Sequence, residues 1–283
     1  MTAHPVAELL LQAASLNQSE HCPRRQGNVL SFDAGDRIVC AGDIHGDRGI
    51  LARLLKHANP GGEGRRLILQ ELLHGGPADA QGADRSIEVL MRAARAKVQH
   101  PDGVFFILSN HDLAELTDGE ISKDGCGACK SFRQGMANAF GEAAGEILAA
   151  VKTFIASCPL GARCANHVFI SHSLPSPGRE KCFDPAVLQR PYQDEDYRRG
   201  GSIYELVWGR RHDADCLEIM GQMLHAGLFL NGHQPQDNGY EHNGRQIIIA
   251  SDHPLGCFAE FDAGEVIDPA LFDTIVRRLN AIK

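Results

Sequence analysis

The sequence predicts an α/β protein: one domain in which two β-sheets pack face to face with helices outside. Three observations lead there. Short apolar runs alternate with amphipathic segments of helical period along the 283 residues. Five of those runs end abruptly in a cluster drawn from Gly, Asp, Asn, Glu and His. Ligands in α/β folds collect outside the carboxyl ends of strands, so these clusters are expected to meet.

The elements follow in order. Met1 to Leu16 carries Glu8 beside Leu9-Leu10-Leu11 and lacks a basic leader, so it reads as an amphipathic helix rather than a signal peptide. Residues 1–36 are expected to be this helix and a polar connector, and 37–283 the main domain. Arg37 to Cys40 is a strand that breaks at Gly42-Asp43-Ile44-His45-Gly46. Gly49 to His57 is a helix, stopped by Asn59-Pro60-Gly61-Gly62. Arg66 to Leu69 is a strand running into Gln70-Glu71, Arg85 to Val98 a helix, and Val104 to Leu108 a buried strand ending at Ser109-Asn110-His111-Asp112. A mostly helical insert spans about 113–158. His167 to Ile170 and Leu228 to Leu230 are strands ending at His172 and His233. Cys216 to His225 is a helix, and Ile247 to Ala250 and Phe258 to Phe261 are strands. Pro269 to Leu279 is read as a closing helix.

Composition narrows the function. At 43% hydrophobic and 23% charged residues the chain is ordinary for a globular protein. A net charge of −8 gives no support for a nucleic-acid surface, and bound metal ions would neutralise part of it. No apolar run reaches the length of a membrane span. Nine scattered cysteines fit a reduced, cytoplasmic setting. Nothing in the pattern specifies an oligomeric state.

The candidate metal ligands are Asp43, His45, Glu71, Asn110, His172 and His233. Asp43 and His45 stand two apart at a strand end, so they can aim at one point. A mixed O and N donor set suits Mn, Fe or Zn. Singly, each residue is commoner as a turn, core or solvated residue; it is the recurrence after successive strands that argues for a site.

The ordered motifs resemble the phosphoprotein phosphatase (PPP) family of calcineurin-like metallophosphoesterases. They are Gly42-Asp43-Ile44-His45-Gly46, Ser109-Asn110-His111-Asp112, Ser171-His172-Ser173, Leu206-Val207-Trp208 and Gly232-His233-Gln234, with similarity from about residue 37 to 262. The resemblance implies a four-layer αββα sandwich and two divalent metal ions, Mn foremost. Asp43 and His45 would hold one metal. Asn110, His172 and His233 would hold the other, and Glu71 would bridge. It further implies hydrolysis by metal-bound hydroxide, with His111 as general acid beside Asp112. Arg210 and Arg211, after Trp208, stand near the family's phosphate-binding arginine, and Asn110 would also face substrate.

The second motif departs from the family. Glu71 replaces the bridging aspartate, Gln70 replaces a glycine, His74 replaces the aspartate that orients the catalytic histidine, and Gly75 replaces a phosphate-gripping arginine. Asp84 and Arg85 could fold back to supply the missing acid and cation, although a helix-start acid and a solvated arginine are the commoner reading. Asp252 and His253 could line the pocket rim. Cys126, Cys129, Cys158 and Cys164 could form a zinc site, but reduced thiols are the simpler reading. Three functions follow: a serine/threonine protein phosphatase acting on phosphoproteins or small phosphoesters, a nucleotide or dinucleoside polyphosphate hydrolase, or a phosphatase-fold binding protein impaired in catalysis.

Overall fold

The computed structural model describes residues 3–123 and 126–282. In chain order the elements are α1 (Pro5–Ser15), β1 (Arg25–Gln26), β2 (Val29–Phe32), β3 (Arg37–Asp43), α2 (Arg48–Ala58), β4 (Arg65–Gln70), α3 (Ile87–Gln99), β5 (Val104–Ile107) and α4 (Asn110–Leu116). Then come β6 (Ser122–Lys123), β7 (Cys126–Gly127), α5 (Ala128–Phe140), α6 (Ala144–Ser157), β8 (Gly161–Cys164), β9 (Val168–Ser171), α7 (Ser202–Trp208) and α8 (Ala214–Leu224). The chain finishes with β10 (Leu228–Asn231), β11 (Tyr240–His242), β12 (Gln246–Ile249), β13 (Cys257–Asp262) and β14 (Val276–Arg278).

One sheet runs β1-β2-β8-β9-β10-β12-β11 and the other β14-β13-β3-β4-β5, with β6 and β7 forming a small hairpin. Strand periodicity divides the core in two. Ile38 and Cys40 of β3 face the other sheet, where they meet Ile170, Leu230 and Ile249 in an apolar layer built from strand residues of both sheets. Val39 and Ala41 point the opposite way and pack with the helices. The result is the expected αββα sandwich. The parallel pairs β3–β4, β4–β5, β9–β10 and β10–β12 place successive strand ends side by side, and this positions the site.

Three differences from the sequence reading have local causes. The connector before residue 37 contains β1 and β2, and β2 pairs in parallel with β8, another strand without a distinctive pattern. The closing segment is not an α-helix: β14 pairs antiparallel with the edge of β13, flanked by 3-10 turns. Its buried Phe272, Ile275 and Leu279 mimic a helical period, but the open edge of β13 supplies hydrogen bonds that a short helix could not match. The insert includes the β6–β7 hairpin between α4 and α5.

The expected break at Gly42 is not one: β3 continues to Asp43, with its register against β4 shifting between Cys40 and Asp43, and the glycine is needed for close packing. A Cβ there would sit 2.1 Å from the carbonyl oxygen of Ile249 on the opposing sheet. Gly42→Ala is therefore expected to destabilise the metal-free protein by about 1–3 kcal/mol, the usual cost of overpacking a packed site. A lowered midpoint in urea denaturation checks this.

Candidate metal centre

The carboxyl ends of β3, β4, β5, β9 and β10 and the residues directly after them bring Asp43, His45, Glu71, Asn110, His172 and His233 to one place. Glu71 is the hub. Its Oε1 lies 3.4 Å from His45 Nε2 and 3.3 Å from His111 Nε2, while its Oε2 lies 2.8 Å from His172 Nε2. Two donor groups result, each with ligand atoms within 4.8 Å of one another: His45, Glu71 and His111, and Asp43, Glu71 and His172. Asn110 Oδ1 adds contacts of 2.7 Å to His172 Nε2 and 2.9 Å to His233 Nδ1.

The histidines are oriented from behind. His45 Nδ1 donates to the carbonyl of His74 at 2.9 Å, which leaves Nε2 facing Glu71. His172 Nδ1 donates to Gln70 Oε1 at 2.8 Å, and Gln70 Nε2 is anchored on the carbonyl of Ala41. Such outer partners fix the tautomer of a metal-ligating imidazole. Gln70 therefore has a role that sequence reasoning missed. Only its place beside Glu71 at a strand end could have suggested it. The His233 amide is 3.1 Å from both Asp43 oxygens, and Arg210 Nε donates to His233 Nε2 at 3.0 Å.

Backbone strain concentrates here. His45, Glu71, His74 and His233 all have positive φ, between 44° and 67°. Non-glycine residues there cost roughly 1–3 kcal/mol each and persist where surrounding structure enforces them. The enforcement is visible: the amides of Ile44 and His45 both donate to the carbonyl of Glu71, and that of Gly46 to Leu72.

Burial sets the electrostatics. It raises the carboxyls of Asp43 and Glu71 to about 7, helped for Asp43 by the nearby charge of Glu71. It holds His172 below its ordinary value and His233 well below. The site thus combines neutral imidazoles with carboxylates short of positive charge. Glu71 Oε2 is buried and makes no hydrogen bond despite the nearby His172 nitrogen. Carboxylates, an amide oxygen and neutral imidazoles converging around an unsatisfied carboxylate oxygen form a donor set that fits divalent cations.

The other predicted residues separate into two groups. His111 stands on the floor of the site, its Nδ1 3.0 Å from His74 Nδ1. Arg210 lines a cleft of about 310 Å³ above it, with Trp208 and Asp252. Asp112, by contrast, belongs to the capping box of α4. Its Oδ2 accepts from the amide and hydroxyl of Ser109 at 3.1 and 2.8 Å, so it holds the helix that carries His111 instead of facing the cleft. The exposed Arg211 uses its amide to donate to Gln234 and is not among the residues lining the cleft. His253 accepts from the amide of Leu255 and also stands apart.

Asp84 does not replace the missing acid at His111: its oxygens accept from the amides of Gly75 and Ser86 at 2.7 and 2.5 Å. Arg85 pairs with Glu88 at the surface. The acid near His74 is instead Glu115, one helical turn after His111 on α4. Its Oε2 lies 3.7 Å from His74 Nε2. The i, i+4 spacing of His111 and Glu115 was the signal that could have found it. Among the described residues the four-cysteine grouping is not assembled: Cys158 belongs to the helix-side core and Cys164 to the layer between the sheets. The side chain of Cys126 lies outside the described residues.

No family model and no curated protein sequence matches the chain. Solved structures do. A protein serine/threonine phosphatase from Saccharomyces cerevisiae is similar with a TM-score of 0.68 and 16% identity, over 98% of this chain and 90% of that one. A cold-active protein-tyrosine phosphatase from a psychrophilic Shewanella is similar with a TM-score of 0.59 and 13% identity, over 94% and 84%. The chain therefore has the fold of the PPP-type protein phosphatases. No helix among the described residues is long and apolar enough to cross a membrane.

Proposed function

We propose that the protein is a metal-dependent phosphomonoesterase acting on phosphoserine and phosphothreonine side chains, in a cytoplasmic setting. The observation that carries this reading is the shared Glu71, whose two oxygens face different histidines in two overlapping donor groups. Asp43, His45 and Glu71 would hold one divalent ion, and Glu71, Asn110, His172 and His233 the other, Mn foremost. When bound, such ions acidify water and neutralise phosphate oxygens as charge develops.

The chain's own residues supply the rest. Arg210 lines the cleft with its Nε held on His233, and its two terminal nitrogens would grip phosphate oxygens in a bidentate fork. His111 directs Nε2 into the site, where its proton can pass to the leaving oxygen as the P–O ester bond breaks. The insert at 113–158 contributes Ile121 and Ser122 to the cleft wall, and is the element proposed to select substrate within a single catalytic domain over 37–283.

The test is elemental analysis of purified protein with steady-state assays on phosphoserine peptides, an aryl phosphate and diadenosine tetraphosphate. Two metal equivalents and manganese-stimulated phosphate release from the peptides are expected. Arg210→Ala should raise KM for the peptides by about 10-fold or more, since hydrogen bonds to a charged group contribute roughly 1.5–3 kcal/mol. Turnover of the dinucleotide alone would assign the site to nucleotides, and bound metal without any turnover would make this a binding protein.

A further inference from the structure

We propose that Glu115 is a positioning residue for His111, acting through His74 in a buried line Glu115–His74–His111. The proposal rests on the phosphoesterase reading and explains how His111 is oriented where His74 stands in place of an aspartate.

The geometry is continuous. The Nδ1 atoms of His74 and His111 are 3.0 Å apart, so one ring must donate and the other accept. On the far side, His74 Nε2 faces Glu115 Oε2 at 3.7 Å. Both atoms are buried and neither has a hydrogen-bond partner in the structure. Two orphaned buried groups in that relation gain by closing the gap, and catalytic hydrogen bonds commonly tighten only in the loaded enzyme. The His74 and Glu115 residues are both 0% exposed.

Each member is held in place. His74 donates its amide to Ser86 Oγ at 3.0 Å, has φ 64°, and sets its ring edge-on to Phe132. Glu115 Oε1 accepts from Arg133 Nε at 2.9 Å. Burial opposes the Glu115 charge, but His74 and Arg133 prevail and keep its carboxyl below the ordinary range.

The proton positions follow from this order. A carboxylate can only accept, so His74 carries its proton on Nε2 and presents a bare Nδ1 to His111. His111 must then donate from Nδ1. Its Nε2, which points at Glu71, carries the second proton when the ring is an imidazolium, and that is the proton given to the leaving oxygen. After that transfer His111 is neutral and still protonated on Nδ1, so neither contact in the line has to rearrange.

A rival use of the same atoms is a third metal ion, since His74, Glu115 and Cys129 could also converge on a cation. Two features oppose it. Arg133 already brings a positive charge to Glu115, and burial raises the Cys129 thiol to about 12, which disfavours the thiolate a metal needs.

The test is a double-mutant cycle on the manganese-loaded enzyme, using Glu115→Gln, His74→Asp and the double variant. Each is assayed on a phosphoserine peptide and on nitrophenyl phosphate, whose leaving group needs little protonation. Glu115→Gln is expected to lower kcat on the peptide about 10–100-fold, the usual cost of losing an orienting partner, with KM unchanged and the aryl ester much less affected. In the His74→Asp background, where a carboxylate meets His111 directly, Glu115→Gln should cost nothing further. An equal loss on both substrates, or the same loss in both backgrounds, would overturn the relay.

A second readout does not need activity. In zinc-loaded protein labelled with ¹⁵N-histidine, His74 should be protonated on Nε2 and His111 on Nδ1. The opposite His74 tautomer, or a third zinc lost in Cys129→Ala, would sink the proposal. Absence of turnover in the wild-type protein with these tautomers present would instead reject the phosphoesterase reading alone.

Discussion

Asp43→Asn should remove metal-dependent turnover while making the metal-free protein more stable. The first half follows from the donor set. Asp43 is the carboxylate that shares a donor group with Glu71 and His172, and both its oxygens also receive the His233 amide. An asparagine offers one neutral oxygen and sets an NH₂ donor against that amide. The charge holding a cation is lost and the loop carrying His233 is disturbed. A loss in kcat/KM of about 10²–10³-fold is expected, the scale on which deleting one preorganised electrostatic element is felt. Elemental analysis should show metal content falling with it.

The second half has the opposite sign. Without a cation, Asp43 is a buried carboxyl already raised to about 7, so ionising it near neutral pH opposes folding. Asparagine removes that penalty. The variant should melt higher than wild type in chelator above pH 7, and should no longer gain from added manganese. This is the usual exchange of stability for function at a site built for a ligand. A variant that keeps both its metal response and its turnover would exclude Asp43 from the centre. His233→Ala should lose turnover in the same way, without the stabilisation, because its imidazole is neutral in the folded state.

Residues such as Asp43, Asn110 and His172 were legible because each directly follows an apolar strand, and the α/β rule sends strand ends to one place. Glu71 was legible for the same reason despite a departure in side-chain length. Gln70 and Glu115 were not. They act on His172 and through His74 across distances of 102 and 41 residues, so a strand-end place or an i, i+4 spacing hints at them while tertiary structure creates the contacts. Asp112 illustrates the converse: its position in a motif suggested chemistry, while its bond to Ser109 is a local helix cap. The missed strands β1, β2, β8, β11 and β14 are short, and β14 owes its conformation to the edge it meets rather than to its own pattern.

Metal removal should make stability fall as pH rises through neutrality. Asp43 and Glu71 both have folded values near 7, against ordinary values of 3.8 and 4.5. Between those limits the folded state binds more protons than the unfolded one. Their contribution to stability is therefore fully present below about pH 4 and lost as pH rises through 7. His172 and His233 act in the opposite sense. Their folded values are lowered, so they favour folding as pH rises towards 6.5 and contribute no further change above it. Below pH 6.5 the two pairs offset each other; above it only the carboxylates remain. Their mutual repulsion makes them titrate as a pair. From pH 6.5 to 8 the chelated protein should lose about 1–2 kcal/mol. Saturating manganese should reverse the loss, adding about 2.7 kcal/mol at a hundredfold excess over its Kd, because it binds the ionised folded site. Urea denaturation at each pH, with chelator and with manganese, measures both effects. Chelated protein that is equally stable at pH 6.5 and 8 would mean that Asp43 and Glu71 do not share an uncompensated buried site, and would remove the electrostatic reason for a cation between them.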